Sequence, residues 1–479
     1  MDWTRRIHEP FLYAALTIAL TAGFGYGALV VGSIALGIIP GSWWGAVIQA
    51  HGHAQLFGWV GLFVLGMGFY FLPRLRGVRL QNPERIPYAF ALLVSGIGLR
   101  VIAQPALGFD LFGQATIPFW QTVWGISALL ELAGILVIDS MLFATMRISK
   151  PLTTAAPAYP VEPFALLVFL SFNLALLANL LGVWGAIPQG RATLAPDFNN
   201  LVVTLFLYGV VIPMAVVFSF RNLPLFLRLA MPPRQAVRRL APFYGTALFL
   251  VILPYLLAAA GDLTGVLIRT LPENEAFGSL LNIVQSIGWL VLNACILIFI
   301  WQIDLIRRRP PWIVDRAPNT RPDLDYLRKP TRAAYPDAGE YGRFELLIYS
   351  AYVWLLVAVI LNLARLGTGF VPWLGVSQDA ARHALTVGFI TLLIFGMAAR
   401  MAPGFSQKKG LAYPQLVLVT FVLGNIAAFL RVVPTFFVPS DIALKLWGLS
   451  GLFGWAAVAV LAINLVVTFR HAGNARPNL

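Results

Sequence analysis

Twelve apolar runs, each long enough to cross a bilayer, decide most of what this chain can become. They lie at 11–39, 46–72, 87–106, 118–146, 162–187, 199–220, 241–260, 279–306, 343–365, 379–402, 413–432 and 440–469. About 20 apolar residues span the hydrocarbon core as a helix, which satisfies its own backbone hydrogen bonds inside lipid. Barrel strands are shorter and alternate in polarity, so these runs are read as helices. Composition agrees: 59% of the 479 residues are hydrophobic and 11% are charged, against about 25% charged in a soluble domain. That balance excludes a water-soluble enzyme of ordinary design and a disordered chain. One cysteine, Cys295, allows neither an intrachain disulfide nor a cysteine-built zinc or iron–sulfur site. The predicted class is an all-α polytopic membrane protein with residues 1–479 as one membrane domain. The first run is too long for a signal peptide and lacks a cleavage pattern, so it is expected to stay as a span.

The net charge of +14 is carried in short loops between the runs. This points to membrane topology, not to a nucleic-acid face. With both termini placed in the cytoplasm, all but seven of the 34 Lys and Arg residues fall on the cytoplasmic side. The seven are Arg100, Arg191, Arg269, Arg365, Arg382, Arg431 and Lys445. The one sizeable polar stretch, 303–342, holds Pro310, Pro311, Pro318, Pro322, Pro330 and Pro336 among mixed charges. It predicts an irregular cytoplasmic linker.

Two spans share a frame. Counting from His53 in the second and His383 in the tenth, both have Ala at +1, Gly at +5 (Gly58, Gly388) and Leu at +9 (Leu62, Leu392). Both then have Gly at +13 (Gly66, Gly396), Met at +14 (Met67, Met397) and Pro at +20 (Pro73, Pro403). The sixth span follows more weakly: if Thr204 takes the histidine position, Gly209 and Pro224 fall at +5 and +20. Spans two, six and ten are four apart, which predicts three similar groups of four helices.

Of five histidines, His8 and His471 lie at span ends, whereas His51, His53 and His383 lie inside even-numbered spans. His53 and His383 fall at matched depth near the outer face. Two histidines on different helices at one depth, above apolar stripes, suit a six-coordinate haem. At about 100° per residue the stripes are Val60, Val64 and Met67, and Ile390, Ile394 and Met397. His51 points nearly opposite to His53, so both cannot bind one iron. The bland alternative is three interfacial histidines satisfied by water or carbonyls. Haem propionates need cationic partners, for which Arg100, Arg365, Arg382 and Arg431 are candidates; simple snorkelling explains each of these singly as well. Glu131 and Asp139 lie within the fourth span, either as the start of a proton path or as groups hydrogen-bonded to a neighbouring helix. Asn173, Asn179, Asn282, Gln285, Asn293, Asn362, Asn425 and Asn464 read as interhelical contacts.

The stretch His51-Gly52-His53-Ala54-Gln55-Leu56-Phe57-Gly58, running on to Pro73-Arg74, resembles the NnrS family. So does Arg382-His383-Ala384-Leu385-Thr386-Val387-Gly388-Phe389-Ile390, followed by Gly396-Met397-Ala398-Ala399-Arg400. That family is similar to haem–copper oxidases, with twelve helices in three pseudo-equivalent groups of four. The resemblance implies a bacterial inner-membrane protein with His53 or His51, together with His383, as axial ligands of a haem b. It further implies a role in nitric oxide response through binding or redox handling of nitric oxide or a related nitrosyl species, with an electron-transfer partner possible. Copper is implied by the family, but only His51 remains to supply an imidazole. Oxidases and nitric oxide reductases place further metal histidines on helices six, seven and ten. Here spans six and seven have none, and Ala381 and Leu385 flank His383 at the spacing of a second one. A conventional oxygen- or nitric-oxide-reducing centre is therefore not expected. The rival readings are a secondary transporter without haem and a quinol-linked membrane cytochrome.

Overall fold

The structure is a computed structural model. It describes residues 6–38, 40–111, 113–149, 152–154, 156, 158–227, 231–264, 275–305, 336–367, 375–437 and 440–470. Twelve helices among these are long and apolar enough to cross a membrane. They are α1 (His8–Ala35), α2 (Trp43–Arg76), α3 (Pro83–Gly108), α4 (Gln114–Arg147), α5 (Glu162–Gln189) and α6 (Pro196–Leu227). The rest are α7 (Arg234–Asp262), α8 (Ala276–Ile303), α9 (Phe344–Gly367), α10 (Gln378–Phe405), α11 (Leu416–Phe437) and α12 (Asp441–Arg470). Each corresponds to one predicted run, and no strand occurs among the described residues. Most of the expected 303–342 linker, residues 306–335, lies outside the described residues; its end forms a short helix, Pro336–Tyr341. Large apolar side chains such as Phe119, Leu136, Phe243, Trp301 and Ile442 are exposed along the spans, as contact with lipid tails requires.

The chain divides into two compact units. One comprises Met1–Ala158, Ala165–Pro213 and Pro242–Leu292; the other comprises Tyr159–Phe164, Met214–Ala241 and Asn293–Leu479.

The three-part repeat has a structural counterpart. Immediately after the frame position, α2, α6 and α10 each leave α-helical bonding for a π-helical segment: Ala54–Gly61, Leu205–Val211 and Ala384–Thr391. Each later carries its frame proline inside the helix: Pro73, Pro224 and Pro403. The +5 glycines do the same job in all three. A Cβ on Gly58 would strike Ile18 of α1, one on Gly209 would strike Ser171 of α5, and one on Gly388 would lie 2.6 Å from Trp354 Cγ of α9. At +13, Gly66 meets Phe11 Cβ (2.7 Å) and the His8 carbonyl, while Gly396 meets Ile348 Cγ1 (2.9 Å) and the Phe344 carbonyl. In each group the second helix is thus pressed onto the first at a glycine, as close membrane helix packing demands. The π segments also alter the stripe expected beneath each histidine. The uniform 100° step does not hold across a π turn, although Val60, Met67, Ile390, Ile394 and Met397 are all buried.

Candidate functional site

In the first unit, α1 interrupts its α-helical bonding over Ala19–Gly23, and Gly23 sits at φ −71°, ψ −101°, off the helical well. Its carbonyl accepts a hydrogen bond from His51 Nδ1 at 2.7 Å. A carbonyl can only accept, so the Nδ1 of His51 carries a proton. Gly27, one turn further along α1, faces the same ring: a Cβ there would lie 2.8 Å from His51 Cε1. The absence of a side chain at Gly27 is what lets the imidazole lie against α1.

His53 has a different environment. It is 5% exposed, and its Nε2 lies 2.9 Å from both carboxylate oxygens of Glu131 on α4, hydrogen-bonded to Oε1. Its ring stacks on Phe57 (4.5 Å), which packs on Phe206 and Phe172. Glu131 is completely buried, and Gly96 of α3 makes the room: a Cβ there would be 2.7 Å from Glu131 Cγ.

Arg100 belongs to this interior. It is 1% exposed; its Nε donates to Gln104 Oε1 (2.8 Å) and an Nη donates to Asn179 Oδ1 (2.7 Å) on α5. Gln104 donates in turn to Gln49 Oε1 and to the Ala192 carbonyl. Gln49 clamps the backbone of Leu194 through both its N–H and its carbonyl. Paired this way, a buried guanidinium and carboxylate are tolerable in an apolar setting.

In the second unit, His383 Nδ1 lies 2.9 Å from the carbonyl oxygen of Asp379, one turn earlier, and 3.0 Å from its Oδ1. Ser377 caps the start of this helix by accepting from Ala380 N–H. Asp379 Oδ1 also accepts from Arg431 Nη2 of α11 at 3.0 Å. The Arg431 guanidinium stacks over the Trp447 ring of α12 at 4.2 Å. Among the described residues, Arg431 Nη1 and Trp447 Nε1 are buried donors with no hydrogen-bond partner. Arg365 lies in the last turn of α9, and Arg382 is half-buried beside His383.

The structure therefore joins His53 and Arg100 around one buried cluster, and His383 and Arg431 around one carboxylate. His51 is set apart from His53 by its hydrogen bond to α1. Sequence reasoning missed Asp379, Trp447, Gln49, Gln104 and Gly27. Asp379 had a signal, a carboxylate one turn before a histidine on one helix face; the others depend on tertiary packing.

The whole chain is similar in fold to a haem–copper terminal oxidase dimer determined by cryo-EM. The TM-score is 0.66 at 12% sequence identity, covering 99% of this chain and 85% of that one. No curated protein matches the sequence. Residues 342–470, which hold α9–α12 with His383, Asp379, Arg431 and Trp447, match the family model described as NnrS protein, so this chain is NnrS-like through its last four helices on an oxidase-like fold.

Proposed function

We propose that this chain is a haem b-binding integral membrane protein of NnrS type that takes part in nitric oxide response. It does so by binding or redox handling of nitric oxide or a related nitrosyl species. The observation that carries the reading is His383. It lies within the NnrS-matching segment, and its Nδ1 is held by Asp379, the kind of partner that orients a metal-ligating imidazole. His51 is the better partner from α2, because its Nδ1 is held by the Gly23 carbonyl in the same manner, whereas Nε2 of His53 is engaged by Glu131. The donor set suits a haem: imidazoles with fixed tautomers, a glycine that leaves room for one ring, and two buried orphan donors, Arg431 Nη1 and Trp447 Nε1, of the kind a carboxylate fills. Arg431 is accordingly our choice of propionate partner. Arg100 is satisfied by side chains of its own unit and is assigned no such role. Arg365 and Arg382 stay as secondary candidates.

A haem held by His383 and His51 would supply one-electron chemistry and affinity for a diatomic ligand. The chain's own part is to hold both imidazoles in one tautomer, keep water from the buried cluster and neutralise the propionates. Copper is a lesser candidate, because once a haem is ligated only one imidazole of the α2 pair remains to supply it. We place the protein in the inner membrane with both termini cytoplasmic, on the charge distribution of its loops. The test is anaerobic addition of nitric oxide to the dithionite-reduced protein in detergent. A new Soret maximum and a nitrosyl-haem electron paramagnetic resonance signal at one equivalent are expected. A haem spectrum unchanged by excess nitric oxide would overturn the nitric oxide reading and leave an electron-transfer cytochrome.

A further inference from the structure

We propose that Asp379 is a positioning residue that sets the donor strength of His383, and so the reduction potential of the bound haem. The proposal rests on the haem reading above. Nδ1 of His383 is within 3.0 Å of both the carbonyl and a carboxylate oxygen of Asp379, so the Nδ1–H points at negative charge as well as at a neutral carbonyl. His51, by contrast, has the Gly23 carbonyl at its Nδ1. A carboxylate behind an imidazole draws the Nδ1 proton toward itself and raises the basicity of Nε2. A more basic nitrogen favours the more positive oxidation state of the metal it binds, which lowers the potential.

The carboxylate is shared. Arg431 from α11 bonds the same Oδ1 and is itself held against Trp447 of α12. A guanidinium on that oxygen withdraws the negative charge that the imidazole would otherwise feel. Asp379 and Arg431 are therefore opposed: the carboxylate lowers the potential and the guanidinium limits how far. Asp379 is 42% exposed at its side chain, so solvent screens part of the effect. The three groups come from three helices of the last four-helix group, so packing of α10, α11 and α12 fixes the balance.

The experiment is a spectroelectrochemical titration of the full-length protein in detergent, comparing wild type with Asp379→Asn and Asp379→Glu. The expected result is a haem retained at wild-type stoichiometry in Asp379→Asn with its midpoint potential shifted upward. Asp379→Glu, which keeps the charge, should restore most of the wild-type value. A potential in Asp379→Asn equal to wild type, with haem intact, would overturn the proposal. If Asp379→Asn fails to hold haem, Arg431→Gln takes its place: a lowered potential supports the proposal, and an unchanged or raised one contradicts it. The underlying haem reading fails separately, through a wild type without haem or a spectrum indifferent to His383→Ala.

Discussion

His51 and His53 are two residues apart, yet the surrounding chain gives them opposite tasks. His51 offers its ring against α1, where Gly23 supplies a carbonyl and Gly27 supplies space. His53 is closed into a pair with Glu131 beneath a layer of phenylalanines. His51→Ala should therefore abolish the reduced-minus-oxidised haem bands. His53→Ala should keep them while lowering stability by about 1–3 kcal/mol, since it leaves a buried carboxylate without its partner; a detergent unfolding titration reads that loss. Gly27→Val should behave like His51→Ala in the haem assay, because its side chain would occupy the place of the imidazole. The three histidines were legible in the sequence because so few polar residues interrupt these spans. Which of the pair meets the Gly23 carbonyl was not legible, since that depends on a backbone distortion in another helix.

The repeat belongs to the scale of the helix. Its frame of Gly and Pro was visible in the sequence, and the structure gives the glycines one role: seating the second helix of each group on the first at Gly58, Gly209 and Gly388. Substituting Leu at any of the three should overpack that contact and cost about 1–3 kcal/mol. The effect at Gly209 should match the others although its group lacks the histidine, which separates packing from cofactor binding; thermal unfolding in detergent measures it. The π segments at the three frame positions were not legible. A shift from one backbone hydrogen-bond partner to the next leaves no mark in composition, and it moves the side chains below it off the stripe that uniform helix geometry predicts.

For the molecule as a whole, hydropathy was enough: each of the twelve runs became one helix, and the fold is similar to that of a haem–copper terminal oxidase. The division into two compact units, with α5, α6, α7 and α8 contributing to both, was not legible, because it depends on contacts between distant segments. Orientation is a prediction of the loop charges. In a Cys295→Ser background, a membrane-impermeant maleimide added to intact cells should label Gln114→Cys, at the start of α4, and leave Gln81→Cys, between α2 and α3, untouched until the membrane is opened. Everything proposed for the chemistry depends on one property, which a visible spectrum of the purified protein, oxidised and dithionite-reduced, would establish together with a pyridine haemochrome assay. We expect a b-type haem with sharp reduced α and β bands that disappear in His383→Ala. A folded protein with no Soret band after expression with ample haem, or bands that survive His383→Ala unchanged, would contradict the assignment.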